Sequence, residues 1–351
     1  MGSKGLKLGN LKHGVRRRIG PRLQRLAFES GFMQFMKRRS GSGGAIVLMY
    51  HSIAGPEHEQ WIDPRNHVPA DVFAEQMAFL AAHRRPISLE ALVEQLASGR
   101  PVEDGAVVVT FDDGYLDNLT VAAPILERWR IPATLFLPTG YIDRGETQWV
   151  DQAYTAFQFR SRSMLAWGNP PRRFDLDQPA ERQEAYREVC LDLLRADADT
   201  RQRLLGQLLG SLLPTAAPPR LTLNWEEVRE LVTTFEGFRI GGHTVEHLDL
   251  TSVGLEAAKD ELRQSARTIE AQLGHAPRHF SFCYGRSNAP LRGLLEELGI
   301  DAAFGGCNTG PVICRGADRL RLPRVEGPRA FGRFDMATSS ANTQFWRRLG
   351  R

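Results

Sequence analysis

Apolar side chains along this 351-residue chain fall into two alternating patterns. Continuous apolar runs of strand length occur at 45–50 (Ala-Ile-Val-Leu-Met-Tyr), 106–111 (Ala-Val-Val-Val-Thr-Phe) and 133–137, with shorter ones at 238–241, 280–282, 302–305 and 320–325. A run without polar alternation predicts a strand covered on both faces. Between the runs, apolar residues recur three and four apart: Phe73, Met77, Leu80 and Ala81, then Leu89, Leu92, Val93 and Leu96 behind Ser88, a good N-cap. Further helical spacing covers 119–129, 224–235, the stretch through Leu255, Leu262, Ile269 and Leu273, and 289–298. Such alternation predicts an α/β fold with a parallel sheet, open or closed into a barrel. From about 150 to 220 the pattern turns Arg-, Gln- and Asp-rich with Pro pairs at 170–171 and 218–219, which predicts a helical insertion packed over the body.

Composition narrows the class. With 42% hydrophobic and 25% charged residues, and no apolar run of about 18, collagen-like, coiled-coil and helical membrane-spanning readings are excluded. Length alone leaves the domain count open. The net charge of +4 hides an asymmetry: residues 1–44 carry eleven Lys or Arg against one acid, Glu29, whereas the rest holds 34 basic and 40 acidic side chains. The expected organisation is a basic arm, 1–44, joined through Ser40-Gly-Ser-Gly-Gly44 to one domain, 45–351.

The arm reads either as a solvated tail or as a contact for anionic lipid, where each Lys or Arg near the surface gains about 1 kcal/mol. Leu23, Leu26, Phe32, Met33, Phe35 and Met36 offer it a weak apolar face, limited by Pro21 and Gly31. Gln24, Arg25, Glu29, Ser30 and Gln34 break any signal-peptide core, so the expected location is cytoplasmic or peripheral on the inner membrane face. No nucleic-acid-binding motif or interleaved aromatics accompany the charge, and no nucleic acid partner is expected. Four cysteines without a C-x-x-C pair read as reduced packing residues.

Two segments carry chemistry. Thr110-Phe-Asp112-Asp113-Gly-Tyr115 stands at the carboxyl end of a predicted strand, where parallel α/β folds bind ligands. Two adjacent carboxylates raise one another's pKa there unless a cation intervenes. Gly241-Gly-His243-Thr-Val-Glu246-His247 also ends a strand. Two histidines four apart can aim both imidazoles at one metal, and one carboxylate with two imidazoles leaves positions open for water and substrate. Separately these are turn chemistry and a surface His pair; together they point to a metal hydrolase.

The two segments resemble the metal-site motifs of the NodB-like polysaccharide deacetylases, carbohydrate esterase family four, over about residues 45–326. The resemblance implies a distorted (β/α) barrel that removes acetyl groups from sugars, with a divalent metal, zinc first, on Asp113, His243 and His247 and with Asp112 as general base. A third family motif of Arg-Pro-Pro-Tyr-Gly type is met only in part by Ser281-Phe-Cys-Tyr284-Gly285. By resemblance the Tyr284 N–H would help hold the oxyanion. Ser281 occupies the Arg position, so either Arg324 in Leu322-Pro-Arg-Val325 takes over or Asp112 is held differently, and Cys283 in place of Pro reads as a small buried apolar residue.

The usual late Leu-x-His is absent because no histidine follows His279. A branch resembling the poly-N-acetylglucosamine deacetylases places its acid in an early Tyr-His segment, which makes His51 in Met49-Tyr-His51-Ser52 the candidate acid. Tyr115, Trp149 and Asp151 read as groove-lining, or equally as packing and capping, residues. The implied substrate is an N-acetylated polysaccharide or lipid-linked glycan, with His51 protonating the departing amine.

Two rivals differ in class. His243-Thr-Val-Glu246-His247 fits the H-x-x-E-H motif of a metallopeptidase, which requires a helix there, and Gly241-Gly242 argues for a loop. A catalytically inactive carbohydrate-binding protein would have no need of base, metal ligands and acid together.

Overall fold

A computed structural model describes residues 44–306, 310–329, 334–335 and 337–339. Strand β1 (Gly44–Tyr50) leads through a long loop to helix α1 (Ala70–His83), the short β2 (Arg85–Pro86) and α2 (Leu89–Ala97). β3 (Asp104–Asp112) is followed by α3 (Ala123–Arg128), β4 (Ala133–Leu137) and α4 (Thr139–Arg144). The insertion contributes α5 (Trp149–Gln158), a hairpin of β5 (Met164–Trp167) and β6 (Arg172–Asp175), α6 (Pro179–Arg195) and α7 (Ala198–Leu212). Then come α8 (Trp225–Thr234), β7 (Phe238–Gly242), α9 (Leu255–Leu273), β8 (His279–Ser281), α10 (Ala289–Glu297), β9 (Ala302–Phe304) and β10 (Val325–Glu326).

The main sheet runs β10-β1-β3-β4-β7-β8-β9, parallel throughout, with β2 beside β3. A parallel bridge between Phe304 and Leu322 draws β9 towards the start of β10, so the sheet curls into a distorted (β/α) barrel. Apolar residues on both strand faces make this possible. Leu48, Tyr50, Val107, Val109 and Phe111 pack with Phe73, Met77, Leu80 and Leu126 of the surrounding helices. Val47, Val108, Phe136 and Phe304 fill the barrel together with Leu89, Leu92, Val93 and Leu96 of α2. Each large side chain so buried contributes roughly 1.5–3 kcal/mol. Ser88 caps α2 as its position predicts, its Oγ accepting from Ala91 N at 3.1 Å.

Register places the site. Tyr50 pairs with Phe111, Asp112 with Phe136 and Leu137 with Gly242, so the carboxyl ends of β1, β3, β4 and β7 lie level and His51, Asp113 and His243 leave the same end of the barrel.

The structure differs from the pattern in three places. The helix expected over 119–129 starts as a π-helical turn, Asn118–Ala122, before α3. Pro124 has no N–H for the carbonyl four residues back, which breaks the α ladder. The strand expected at 320–325 is a 3-10 turn, Arg319–Arg321, and then only β10. Pro323 cannot donate to a sheet. The insertion expected to be helical also holds the β5/β6 hairpin, in which Leu165 and Trp167 are buried while Met164 and Ala166 are exposed. Four residues are too few to separate that alternation from a helical pattern.

The insertion has its own core around Leu165, Trp167, Phe174, Val189, Leu193 and Leu208. It is tied to the barrel by buried polar groups. Asp151 on α5 accepts from Tyr115 Oη at 2.6 Å and from Asp63 N at 2.8 Å, and Asp63 accepts from Arg65 and from Tyr186 of α6. None of the described helices is long and apolar enough to cross a membrane. Of the basic arm expected over 1–44, residues 1–43 lie outside the described residues and Gly44 begins β1; Cys307 also lies outside them, and Cys190, Cys283 and Cys314 are free thiols.

Burial raises the Asp151 pKa to about 7 against the opposing hydrogen bonds from Tyr115 and Asp63. A carboxyl that holds its proton in the fold but loses it in the unfolded chain favours the fold below the unfolded pKa, and that contribution is lost as pH climbs towards 7. Between pH 5 and pH 8 the Tm of the native chain is expected to fall relative to that of Asp151→Asn, measured by thermal melts across the range. A constant difference would place the Asp151 pKa near its ordinary value.

Candidate active site

The strand ends described above open into a cavity of about 940 Å³ whose wall includes His51, Asp112, Asp113, Trp149, His243, His247, Tyr284 and Arg324. His51, Asp112, Asp113, His243, His247, Tyr284 and Arg324, the seven residues given catalytic or metal-binding roles, therefore meet in one place, with Trp149 beside them. On β3 the side chain of Asp112 shares the inward face with Thr110. The chain then turns through left-handed Asp113 (φ 74°) and Gly114 (φ 68°). A Cβ on Gly114 would come within 2.8 Å of Ile142, so this turn requires glycine. On β7 a Cβ at Gly241 would lie 2.5 Å from the Phe136 ring. Glycine there lets the strand run over Phe136 and deliver His243 to the cavity.

Asp113 Oδ1 is buried and accepts no hydrogen bond, yet His243 Nε2 and His247 Nε2 stand 3.5 and 3.1 Å from it. His243 Nδ1 lies 2.6 Å from the Ser281 carbonyl, which accepts only from an N–H, so in the neutral ring Nε2 carries a lone pair aimed at the carboxylate. His247 Nδ1 lies 3.1 Å from Tyr284 Oη. Three electron-pair donors converging on one point without a proton between them fit a divalent cation. In the protein without metal, burial works against both charged imidazoles but Cys283 and the carboxylates outweigh it, raising His243 well above its ordinary value and His247 to about 9. Burial pushes Asp113 the other way, and the imidazoles still hold it well below the carboxylate range.

Asp112 is held by Arg324. The guanidinium donates from Nη1 to Oδ1 at 2.7 Å and from Nη2 to Oδ2 at 2.5 Å, and also to Ser281 Oγ at 2.7 Å and Thr110 Oγ1 at 3.2 Å. Its Cζ sits 5.1 Å from the Phe304 ring centroid and 5.6 Å from that of Phe136. Of the two possibilities left by Ser281, the structure thus shows a bidentate arginine standing just before the last strand. Burial raises the Asp112 pKa, but Arg324 and His243 more than offset it and keep the carboxylate ionised.

Tyr284 occupies the left-handed region (φ 58°) in the turn after β8, and its hydroxyl accepts from Trp149 Nε1 at 3.2 Å. Tyr115 and Asp151, by contrast, bond to one another beneath the cavity wall and pack rather than line it. Segment 243–247 is an irregular loop with Thr244 and His247 at positive φ, and Glu246 pairs with Arg144 at 2.8 Å. A helical H-x-x-E-H site is therefore absent.

Sequence reasoning missed two residues. Cys283 is more than an apolar filler: it brings Sγ within 4.8 Å of a nitrogen of each histidine and 3.6 Å from the His243 carbonyl. It is buried beside the two imidazoles and does not line the cavity. Arg201 of α7 is buried and donates to the carbonyls of Glu246 and His247. Within the Arg-rich run Thr200-Arg-Gln-Arg203 nothing distinguishes it from a surface arginine.

The structure resembles the deacetylase PplD of Streptococcus pyogenes in complex with acetate (TM-score 0.56, 17% identity, 85% of this chain and 99% of that one). It also resembles IcaB of Ammonifex degensii (TM-score 0.54, 16% identity, 86% and 98%). Both share the fold. In sequence, 109 residues are 30% identical to the poly-beta-1,6-N-acetyl-D-glucosamine N-deacetylase of Escherichia coli K12, a stretch covering 31% of this chain and 15% of that protein. The profile described as polysaccharide deacetylase matches residues 99–303, more than half of the chain. That span runs from β3 with its paired carboxylates through the histidine loop to β9, and the chain belongs to the polysaccharide deacetylase family.

Proposed function

We propose that this protein is a metal-dependent hydrolase that removes N-acetyl groups from an amino-sugar polysaccharide or a lipid-linked glycan. The observation that carries this is the convergence of Asp113, His243 and His247 beside an arginine-held Asp112 in one cavity. The name of the E. coli relative supports an acetamido sugar as the group acted on.

A divalent metal on Asp113, His243 and His247, zinc by its affinity for imidazole, would polarise the acetyl carbonyl and make water a stronger nucleophile. The chain supplies the rest. Asp112, ionised and oriented by Arg324, takes the proton of the attacking water. By the family resemblance the Tyr284 N–H, in the left-handed turn after β8, would help hold the oxyanion. His51, on the cavity wall at the end of β1, gives its proton to the departing amine. Trp149 and Tyr284 form part of the cavity wall beside the histidines, where a sugar would lie. The charge of the arm supports contact with an anionic membrane face.

Acetate release from N-acetylglucosamine oligomers is the direct test. Activity is expected to vanish on chelation and return with zinc, and His243→Ala should lose most bound metal by elemental analysis. Asp112→Asn and His51→Ala should each slow turnover roughly 100- to 10,000-fold with metal retained. Near-normal turnover of His51→Ala would assign the acid elsewhere. Arg324→Met should cost about 3–5 kcal/mol in urea unfolding because it strands the buried Asp112 charge, and adding Asp112→Asn should restore part of that loss. Deleting residues 1–43 should reduce co-sedimentation with anionic vesicles at low salt; equal binding would leave the arm without that role.

A further inference from the structure

Arg201 is 3% exposed, and among the described residues no carboxylate lies within ion-pairing distance of it. A buried cation with no carboxylate in direct contact is costly; here Asp197 acts on it only at longer range, the Tyr141 hydroxyl lies beside it, and its donors reach main-chain carbonyls. Nε donates to Leu193 O at 2.9 Å and Nη2 reaches Ala196 O at 3.5 Å, both at the corner between α6 and α7. Nη1 donates to Glu246 O at 2.8 Å and His247 O at 3.3 Å. The guanidinium also faces the Trp149 ring, 5.5 Å from its centroid. One rigid planar group therefore spans from the insertion to the end of the histidine loop.

That loop needs holding from outside. Thr244 and His247 both sit at positive φ, a conformation costing on the order of 1–3 kcal/mol for a non-glycine residue. Two of its N–H groups are taken by a different element: Glu261 Oε2 of α9 accepts from Val245 N at 2.8 Å and Glu246 N at 3.0 Å. The loop is thus held by a carboxylate on two of its donors and a guanidinium on two of its acceptors.

We propose that Arg201 is a positioning residue for the metal centre, setting His247 through the Glu246 and His247 carbonyls and making the insertion an integral part of that centre rather than a separable cover. This rests on reading Asp113, His243 and His247 as the metal ligands. Outer groups that orient a metal ligand are worth 10- to 100-fold in metal affinity when removed. Arg201 acts on the backbone of His247 while Tyr284 Oη lies at its ring. The two together fix position and orientation.

The test is zinc affinity by competition with a chromogenic chelator, on full-length variants whose near-UV circular dichroism and Tm show a native fold. Arg201→Met, similar in length but without donors, is expected to weaken zinc binding roughly 10- to 100-fold, and Arg201→Lys, which keeps charge and one point of contact, to fall between it and the native chain. Arg144→Met, which removes the exposed partner of the Glu246 side chain, should stay within about twofold. A role confined to stabilising the insertion would lower Tm and leave the affinity of the folded protein unchanged. Native affinity in Arg201→Met, or in Arg201→Lys if the Met variant does not fold, overturns the proposal. Should His243→Ala also bind zinc as tightly as the native chain, the ligand assignment itself fails, a different result from loss in His243→Ala with retention in Arg201→Met.

Discussion

Two adjacent carboxylates, Asp112 and Asp113, are buried at the end of one strand, and the site is organised around neutralising them. Burial alone would raise both pKa values and leave at least one carboxyl protonated. Each is instead met separately. Asp112 turns into the barrel and is neutralised by Arg324, while Asp113, swung aside by its left-handed backbone, faces His243 and His247. The separation divides the labour: one carboxylate is ionised and hydrogen-bonded, fit to orient water, and the other keeps a free oxygen for a cation.

Barrel closure follows from the same requirement. Arg324 stands immediately before β10, which pairs with β1 and so places the arginine beside Thr110 and Asp112 of the next strand over. Phe304 and Phe136, which fill the barrel interior, form the floor beneath the guanidinium. The apolar packing that closes the sheet thus also confines the arginine. A long side chain held by four hydrogen bonds and two rings keeps Asp112 in one geometry. The insertion completes the other flank, with Trp149 against Tyr284 and Arg201 against the histidine loop, so the cavity is walled on both sides by elements distant in sequence.

Much of this was legible from residue order alone. Strand runs at 45–50, 106–111 and 133–137 needed cover on both faces, and helices in between supply it, which determined the α/β class and put Asp112, Asp113 and His243 at strand ends. The motif residues, being clustered in sequence, carried their own evidence of shared chemistry. Local breaks were less visible, because Pro124 and Pro323 act on hydrogen bonds several residues away and the four-residue β5 alternates too briefly to declare itself.

What only the tertiary structure decided are the partners that come from afar. Ser281 left the holder of Asp112 open between an arginine and some other arrangement, and the choice depended on whether β10 lies next to β1, a matter of sheet order. Tyr115 and Asp151 could line a groove or pack, and the turn after β3 settles them against one another beneath it. Arg201 gives no sign of itself among neighbouring arginines, since burial is a property of the folded surroundings. Composition and periodicity report what a segment must bury and where it turns. Which cation meets which carboxylate or carbonyl is set by the register and closure of the barrel, because charge pairing acts through space rather than along the chain.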